Sequence, residues 1–385
     1  MIQAGPSRPP VVPRYGAGAL SDLLPSAAAA LGIPGFGNVL ELPPARQICV
    51  LLLDGFGWNL LSRDGAHAPF LSATAAGTEP ITVGFPSTTA TSLTSLGTGQ
   101  PPGRHGVLGY QVAVPGTGRL MNSLRWDPEI DPRHWQPHPT VFERAAEHGS
   151  GVFHVSPGAF RGSGLTVAGL RGTSYVPAET AGDLIAGAVA SLRHEREALV
   201  YAYHSDLDKT GHIRGCGSDA WRHQLSLTDR LVERLVDTMP AGSLLVVTGD
   251  HGMVDVPPER RVDADAHPDL RTGVELLGGE PRARHVYTVP GAAADTLATW
   301  RDVLGDRAWV VSRQEAVDAC WFGPHVAPEL LARIGDVVAA ATGDTSIVTP
   351  VDEPTGTLLV GHHGSLTADE QLVPLLLIEG RGDGA

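Results

Sequence analysis

A chain of 385 residues with 42 acidic against 28 basic side chains carries a formal net charge of −14. That field repels a nucleic-acid polymer or an anionic membrane, so neither is expected as a partner, while a small anion can bind where cations reverse the sign locally. The length calls for one large domain with an insertion, or for two domains.

Cys49, Cys216 and Cys320 lie far apart and form no CxxC pair, the usage of a reducing compartment. The N-terminus, M-I-Q-A-G-P-S-R-P-P, is too rich in proline for a signal peptide, and no run of about 18 apolar residues occurs. A soluble, cytoplasmic protein is expected, with a monomer favoured.

In chain order, residues 1–45 read as an arm with one short helix near 20–31. Residues 48–53 are then continuously apolar and stop at Asp54-Gly55, as a strand covered on both faces would. The stretch 84–109 crowds its first half with hydroxyls: Ser87, Thr88, Thr89, Thr91, Ser92 and Thr94. Its pattern predicts a strand ending near Pro86, a helix beginning near Thr88 and a turn over 97–103. A hydroxyl at such a helix start lies beside unpaired N–H groups and the positive end of the helix dipole, which suits attack on a phosphoryl centre. Serine and threonine are also ordinary N-caps, so this stretch by itself does not single out a nucleophile.

Helical spacing follows over 181–196 and 219–239. Between and after these helices, apolar runs at 198–203 and 244–249 lead into His204-Ser205-Asp206-Leu207-Asp208 and into Asp250-His251-Gly252. Beyond them the texture becomes polar and turn-rich up to 279. A strand at 285–289, a helix at 292–304, a strand at 309–312 and a helix at 328–341 then read as an α+β insertion. The core pattern resumes at 357 with His362-His363-Gly364 and a last strand over 372–378. Strands alternating with helices predict an α/β fold with a mostly parallel central sheet and helices on both faces. In such a sheet functional groups gather beyond the carboxyl ends of the strands, where Asp54, Asp208 and Asp250 all fall.

The candidate chemical groups are Asp54, Thr89, Asp208, His212, Asp250, His251 and His363. Carboxylate oxygen and imidazole nitrogen suit Zn²⁺ or Mn²⁺ better than Ca²⁺. Asp208 and His212, four apart in D-K-T-G-H, can share one ion, and Gly252 is expected to permit a sharp turn after Asp250-His251. Singly, each has a bland alternative as a helix cap, a turn or a solvated histidine; the repetition at three strand ends sets them apart. A Walker loop, a G-x-S-x-G elbow and a G-x-G-x-x-G after the first strand are all missing. No cysteine in the hydroxyl-rich stretch could become a sulfatase-type nucleophile.

Taken in order, these motifs resemble the alkaline phosphatase superfamily and, within it, the type I phosphodiesterase/nucleotide pyrophosphatase family. The resemblance covers roughly 46–253 and 355–380 and rests on Asp54 after the first strand, P-S-T-T with Thr89, a segment ending P-x-x-H-G, D-x-x-G-H at Asp208–His212, D-H-G-M at 250–253, and His363. It implies a nucleophilic Thr89 and two divalent ions, Zn²⁺ or Mn²⁺. One would be held by Asp54, Thr89, Asp250 and His251, the other by Asp208, His212 and His363. It also implies an alkaline-phosphatase-like core over 1–253 and 351–385 and a cap over 254–350.

The family's phosphate-binding asparagine, expected shortly after the H-G, is replaced here by Gly109-Tyr110, and the next asparagine is Asn122. Tyr110, Asn122, Arg104 and Arg284 are the candidate substrate contacts. The resemblance extends to actinobacterial members that hydrolyse cyclic di-AMP and pApA to AMP, which makes a small nucleotide or dinucleotide the expected substrate. A phosphonoacetate hydrolase or a phosphomonoesterase is the alternative within the fold. An inactive nucleotide-binding protein is the alternative outside it, and the complete set of seven groups argues against that.

Overall fold

In a computed structural model describing residues 6 and 8–382, the first apolar run forms β1 (Gln47–Leu53), with six of its seven residues buried. The parts of the proline-rich arm at 1–5 and 7, and residues 383–385, lie outside the described residues. The hydroxyl-rich stretch supplies α1 (Thr89–Thr98), followed by β2 (Gly151–Ser156), β3 (Ser174–Pro177), α2 (Ala181–His194) and β4 (Ala198–His204). Next come α3 (Asp206–Arg214), α4 (Asp219–Thr238) and β5 (Leu244–Thr248). An insertion carries β6 (Val274–Glu280), β7 (Ala283–Thr288), α5 (Ala293–Leu304), β8 (Ala308–Ser312) and β9 (Val337–Ala341), and β10 (Leu375–Glu379) closes the core.

The central sheet has six strands in the order β10-β5-β1-β4-β2-β3, parallel throughout except for β10. Alternate residues of β1 feed two apolar cores. Ile48, Val50 and Leu52 join Leu93 and Leu96 of α1 on one face. Cys49, Leu51 and Leu53 join Leu184 of α2 and Leu225, Leu231 and Leu235 of α4 on the other. Burial on both faces is what an unbroken apolar strand requires, at roughly 1.5–3 kcal/mol for each large side chain removed from water. The register pairs Leu53 with His204 and Leu52 with Thr248, so the chain leaves all three strands at one edge of the sheet.

The α/β class and the mostly parallel sheet are as expected, and four local expectations are corrected. The predicted helix over 328–341 is a short 3₁₀ segment, Pro328–Arg333, followed by strand β9. Val337 to Ala341 are all buried, because β9 lies between β7 and β8, and pairing on both edges overrides the helix propensity of alanine. The segment read as polar loop up to 279 contains β6, which completes an antiparallel sheet ordered β6-β7-β9-β8 with its own apolar cluster around Trp300.

The short helix expected near 20–31 forms over 20–30 and packs into the core: Leu20, Leu23 and Leu24 are fully buried, and the Thr82 N–H donates to Gly18 O at 3.0 Å. The strand expected up to Pro86 pairs regularly at Ile81–Thr82. The last strand divides at Pro374, which has no N–H to donate. Leu372–Val373 pairs with Ile81–Thr82, and β10 then runs antiparallel to β5.

Candidate active site

Five short segments converge at the carboxyl edge of the sheet. Asp54 follows β1, and Asp250 and His251 follow β5. Asp208 and His212 lie one turn apart on the same face of α3, and His363 comes from the loop after the short strand Gly361–His362. Thr89 is the first residue of α1, whose N-cap is Thr88. Main-chain bonds hold the segments together: Asp208 N–H donates to Asp54 O at 3.1 Å, Gly55 N–H to Asp250 Oδ1 at 3.1 Å, and Ser92 Oγ to Asp250 O at 2.6 Å. Gly252 has no left-handed φ. It is required by close approach instead, since a Cβ there would stand 1.9 Å from the Asp369 carbonyl oxygen.

The three imidazoles share one arrangement. His212 Nδ1 lies 2.8 Å from Gly361 O, His251 Nδ1 3.1 Å from Gly252 O, and His363 Nδ1 2.9 Å from Ser87 O. A carbonyl can only accept, so each Nδ1 carries the proton and each Nε2 presents a lone pair. Those lone pairs face carboxylates: His212 Nε2 is 3.2 Å from Asp208 Oδ1, and His251 Nε2 is 3.4 Å from both Asp54 Oδ1 and Asp250 Oδ2. Thr89 Oγ1 stands 3.3 Å from His251 Nε2.

Asp54 Oδ1, Asp208 Oδ1 and Asp250 Oδ2 are buried with no hydrogen-bond partner. Buried carboxylate oxygens left unpaired, facing imidazole lone pairs, are acceptors turned toward acceptors, and a cation between them resolves the conflict. Nδ1–H donated to a carbonyl is also the usual way a metal-ligating histidine is oriented. The donor set therefore fits divalent cations, in two overlapping groups: Asp208, His212 and His363, and Asp54, Asp208 and His251. Asp208 falls in both groups, whereas Asp250, expected among the ligands of the first ion, is in neither and lies with Oδ2 3.4 Å from His251 Nε2.

Electrostatics agree. Burial, and then the charges of Asp250 and Asp208, push Asp54 well above the usual carboxylate range. Burial raises Asp250 as well, against the lowering effect of His251, and Asp208 adds to the rise. Burial, followed by His251 and His212, holds His363 well below the usual imidazole value. The protein alone resists negative charge on the two carboxylates, a preference that bound cations would reverse, and it favours the neutral His363 ring that a cation also requires.

The sequence pattern of the type I phosphodiesterase / nucleotide pyrophosphatase family matches residues 48–366. The chain belongs to that family. No curated protein sequence matches it. Among solved structures it is similar to murine ectonucleotide pyrophosphatase / phosphodiesterase 5, with 18% identity, 86% of this chain and 88% of that one covered, and a TM-score of 0.67. An inactive form of that murine protein in complex with AMP gives 17% identity, 88% coverage of each chain and the same TM-score of 0.67. Phosphonoacetate hydrolase from Sinorhizobium meliloti 1021 in complex with phosphonoformate gives 20% identity over 87% of this chain and 90% of that one, with a TM-score of 0.65. At these identities the likeness is one of fold.

In this type I phosphodiesterase-family chain the site opens into a cavity of about 840 Å³. Asp54, Thr89, Asp208, His212 and His363 line it, and so do Tyr110 and Asn122. The two arginines expected near substrate are elsewhere. Arg104 is exposed and does not line the cavity. Arg284 is fully buried, donating to Glu353 at 3.1 and 2.8 Å and to Ile347 O at 2.9 Å. An arginine so committed ties the insertion to Glu353 just beyond it, and the residues around Arg284 in the sequence do not show which partner it takes.

Two site residues were not legible in the sequence. The Tyr203 hydroxyl donates to Asp54 Oδ2, and its place two residues after Tyr201 in β4 reads only as strand core. Glu280, at the end of β6, reaches the cavity beside His363, with Oε2 3.9 Å from Nδ1. Burial pushes its carboxyl up to about 8. The polar, glycine-rich pattern before it gives no sign of the strand that carries it to the cavity.

Proposed function

We propose that this protein hydrolyses nucleotide phosphodiesters through a phosphothreonine at Thr89, with a dinucleotide such as cyclic di-AMP or pApA, cleaved to AMP, as the best candidate substrate. The observation that carries the reading is the half-buried Thr89 hydroxyl at the start of α1, 3.3 Å from His251 Nε2 and beside the unpaired carboxylate oxygens. Asp54, Thr89, Asp250 and His251 would hold one divalent cation and Asp208, His212 and His363 the other, with Zn²⁺ or Mn²⁺ best suited to these donors. Bound there, the cations lower the hydroxyl pKa and neutralise charge on the phosphoryl oxygens.

The chain's own contributions follow from position. The N–H groups opening α1 face the phosphoryl oxygens. Thr89 Oγ1 forms the bond to phosphorus as the leaving alkoxide departs in line, and water then attacks the phosphothreonine and frees the hydroxyl. Tyr203 holds Asp54 in orientation, and Tyr110 and Asn122, which line the cavity, are the candidates to take the role of the family's asparagine. Asn122 Oδ1 accepts from Leu124 N at 3.0 Å and Arg125 N at 2.9 Å, which leaves its NH₂ as the group for the cavity.

Residues 254–350 act as the cap over this site, on a core of 1–253 and 351–385. The cavity volume fits a nucleotide-sized ligand better than a phosphonate of a few atoms. Free thiols at all three cysteines support the cytoplasm as its compartment. Turnover of the metal-loaded protein on cyclic di-AMP, pApA, a phosphomonoester and phosphonoacetate, with products identified, tests the reading. Release of AMP from pApA is expected, and cleavage of phosphonoacetate alone would replace the reading with the alternative.

A further inference from the structure

The turn between β6 and β7, Glu280-Pro281-Arg282, drives an arginine from the insertion into the core. Arg282 and Glu370 are both fully buried and form a two-point fork, Nε to Oε1 at 3.0 Å and Nη2 to Oε2 at 2.6 Å. Arg282 also donates from Nη1 to Thr345 O. Glu370 belongs to the core and serves both histidine loops. Its main-chain carbonyl accepts from Gly252 N–H at 2.9 Å, directly after His251, and its Oε1 accepts from Ser365 N–H at 3.0 Å, two residues after His363.

The same loops are tied to the nucleophile's segment and to the insertion. Ser87 N–H donates to Gly364 O at 3.0 Å and Ser87 Oγ to Ser365 O at 2.8 Å, while Ser365 Oγ donates to Ala341 O of β9 at 2.6 Å. There is no slack, since a Cβ on Gly364 would stand 2.9 Å from the Glu280 side chain and 3.3 Å from Arg282 Cβ. A buried ion pair contributes little net stability compared with apolar residues of the same volume, so its use here points to position. The planar fork of arginine fixes a carboxylate at two points, which a lysine cannot do.

We propose that Arg282 is a positioning residue of the metal site, fixing through Glu370 the spacing between His251 and His363, so that the insertion sets the protein's affinity for divalent cations. This rests on the reading that those histidines hold cations. The test titrates metal-free full-length protein with Zn²⁺ by calorimetry and records thermal midpoints separately. It compares the parent, Arg282→Lys, and the double variant Arg282→Met with Glu370→Gln, which leaves no lone buried charge and keeps the comparison open should the lysine variant not fold. Zinc binding 10–100-fold weaker in the variants is expected, the usual effect of removing a group that orients ligands. A lowered midpoint with unchanged zinc affinity would show a merely structural role and overturn the proposal. No zinc binding by the parent would remove the metal reading itself, a result distinct from equal binding by all three proteins.

Discussion

The rings of His251 and His363 lie one on the other, with centroids 3.6 Å apart and planes inclined by 13°. Two charged imidazolium rings would repel in that arrangement, and burial together with the neighbouring imidazoles keeps His363 neutral. Both Nε2 atoms lie near carboxylates, that of His251 3.4 Å from Asp54 Oδ1 and that of His363 3.9 Å from Asp208 Oδ1. His363→Ala is accordingly expected to lower the bound Zn²⁺ from two ions to one per chain, measured by elemental analysis after dialysis; two retained ions would remove His363 from the ligand set.

Thr89→Ala tests the nucleophile. Turnover of pApA should fall at least about a thousandfold, because the remaining groups bind and orient substrate without forming the covalent bond. Metal stoichiometry should stay close to that of the parent. Turnover within tenfold of the parent would assign the chemistry to a directly activated water.

Removal of metal should destabilise the fold. Without cations the buried Asp54 and Asp250 repel one another, and saturating metal at about a thousand times its Kd contributes about 4 kcal/mol to the native state. Differential scanning calorimetry with and without chelator measures this, and the expected result is a lower midpoint that added Zn²⁺ or Mn²⁺ restores. An unchanged midpoint would count against tight binding.

Acid should loosen the join between insertion and core at His285. Its Nε2 donates to Leu108 O at 3.0 Å and its Nδ1 accepts from Gly335 N–H at 3.1 Å, so protonation removes an acceptor, and burial lowers its pKa from 6.5 to about 4. A folded pKa below the unfolded one gives stability that is full above pH 6.5 and is lost as pH falls toward 4, by about 3 kcal/mol in all. His105, His154 and His362, each lowered to about 3 by burial, act in the same direction. The diagnostic quantity is therefore the difference between parent and His285→Gln in urea unfolding at pH 7 and pH 4.5, where the variant should lose less.

Much of this was legible beforehand. β1, β4 and β5 announce themselves as apolar runs ending in acids, and α4 as a long helix, because burial on both faces or on one stripe leaves a local pattern. β6 and β9 left none. Glycines at the end of β6 and alanines in β9 are poor strand formers: β6 pairs through its hairpin with β7, and β9 pairs because β7 and β8, from earlier in the chain, flank it on both edges.

The amino-acid order by itself determined the α/β class and the identity of the groups from Asp54 to His363, since a carboxylate or a threonine at a strand end or helix start is a local fact. The tertiary structure alone decided how they meet. Which nitrogen of each histidine is left free, which oxygens are unpaired, and whether an arginine such as Arg284 faces substrate or a buried glutamate depend on partners far away in the chain. Such contacts form when the whole sheet closes, and no local pattern of residues encodes them.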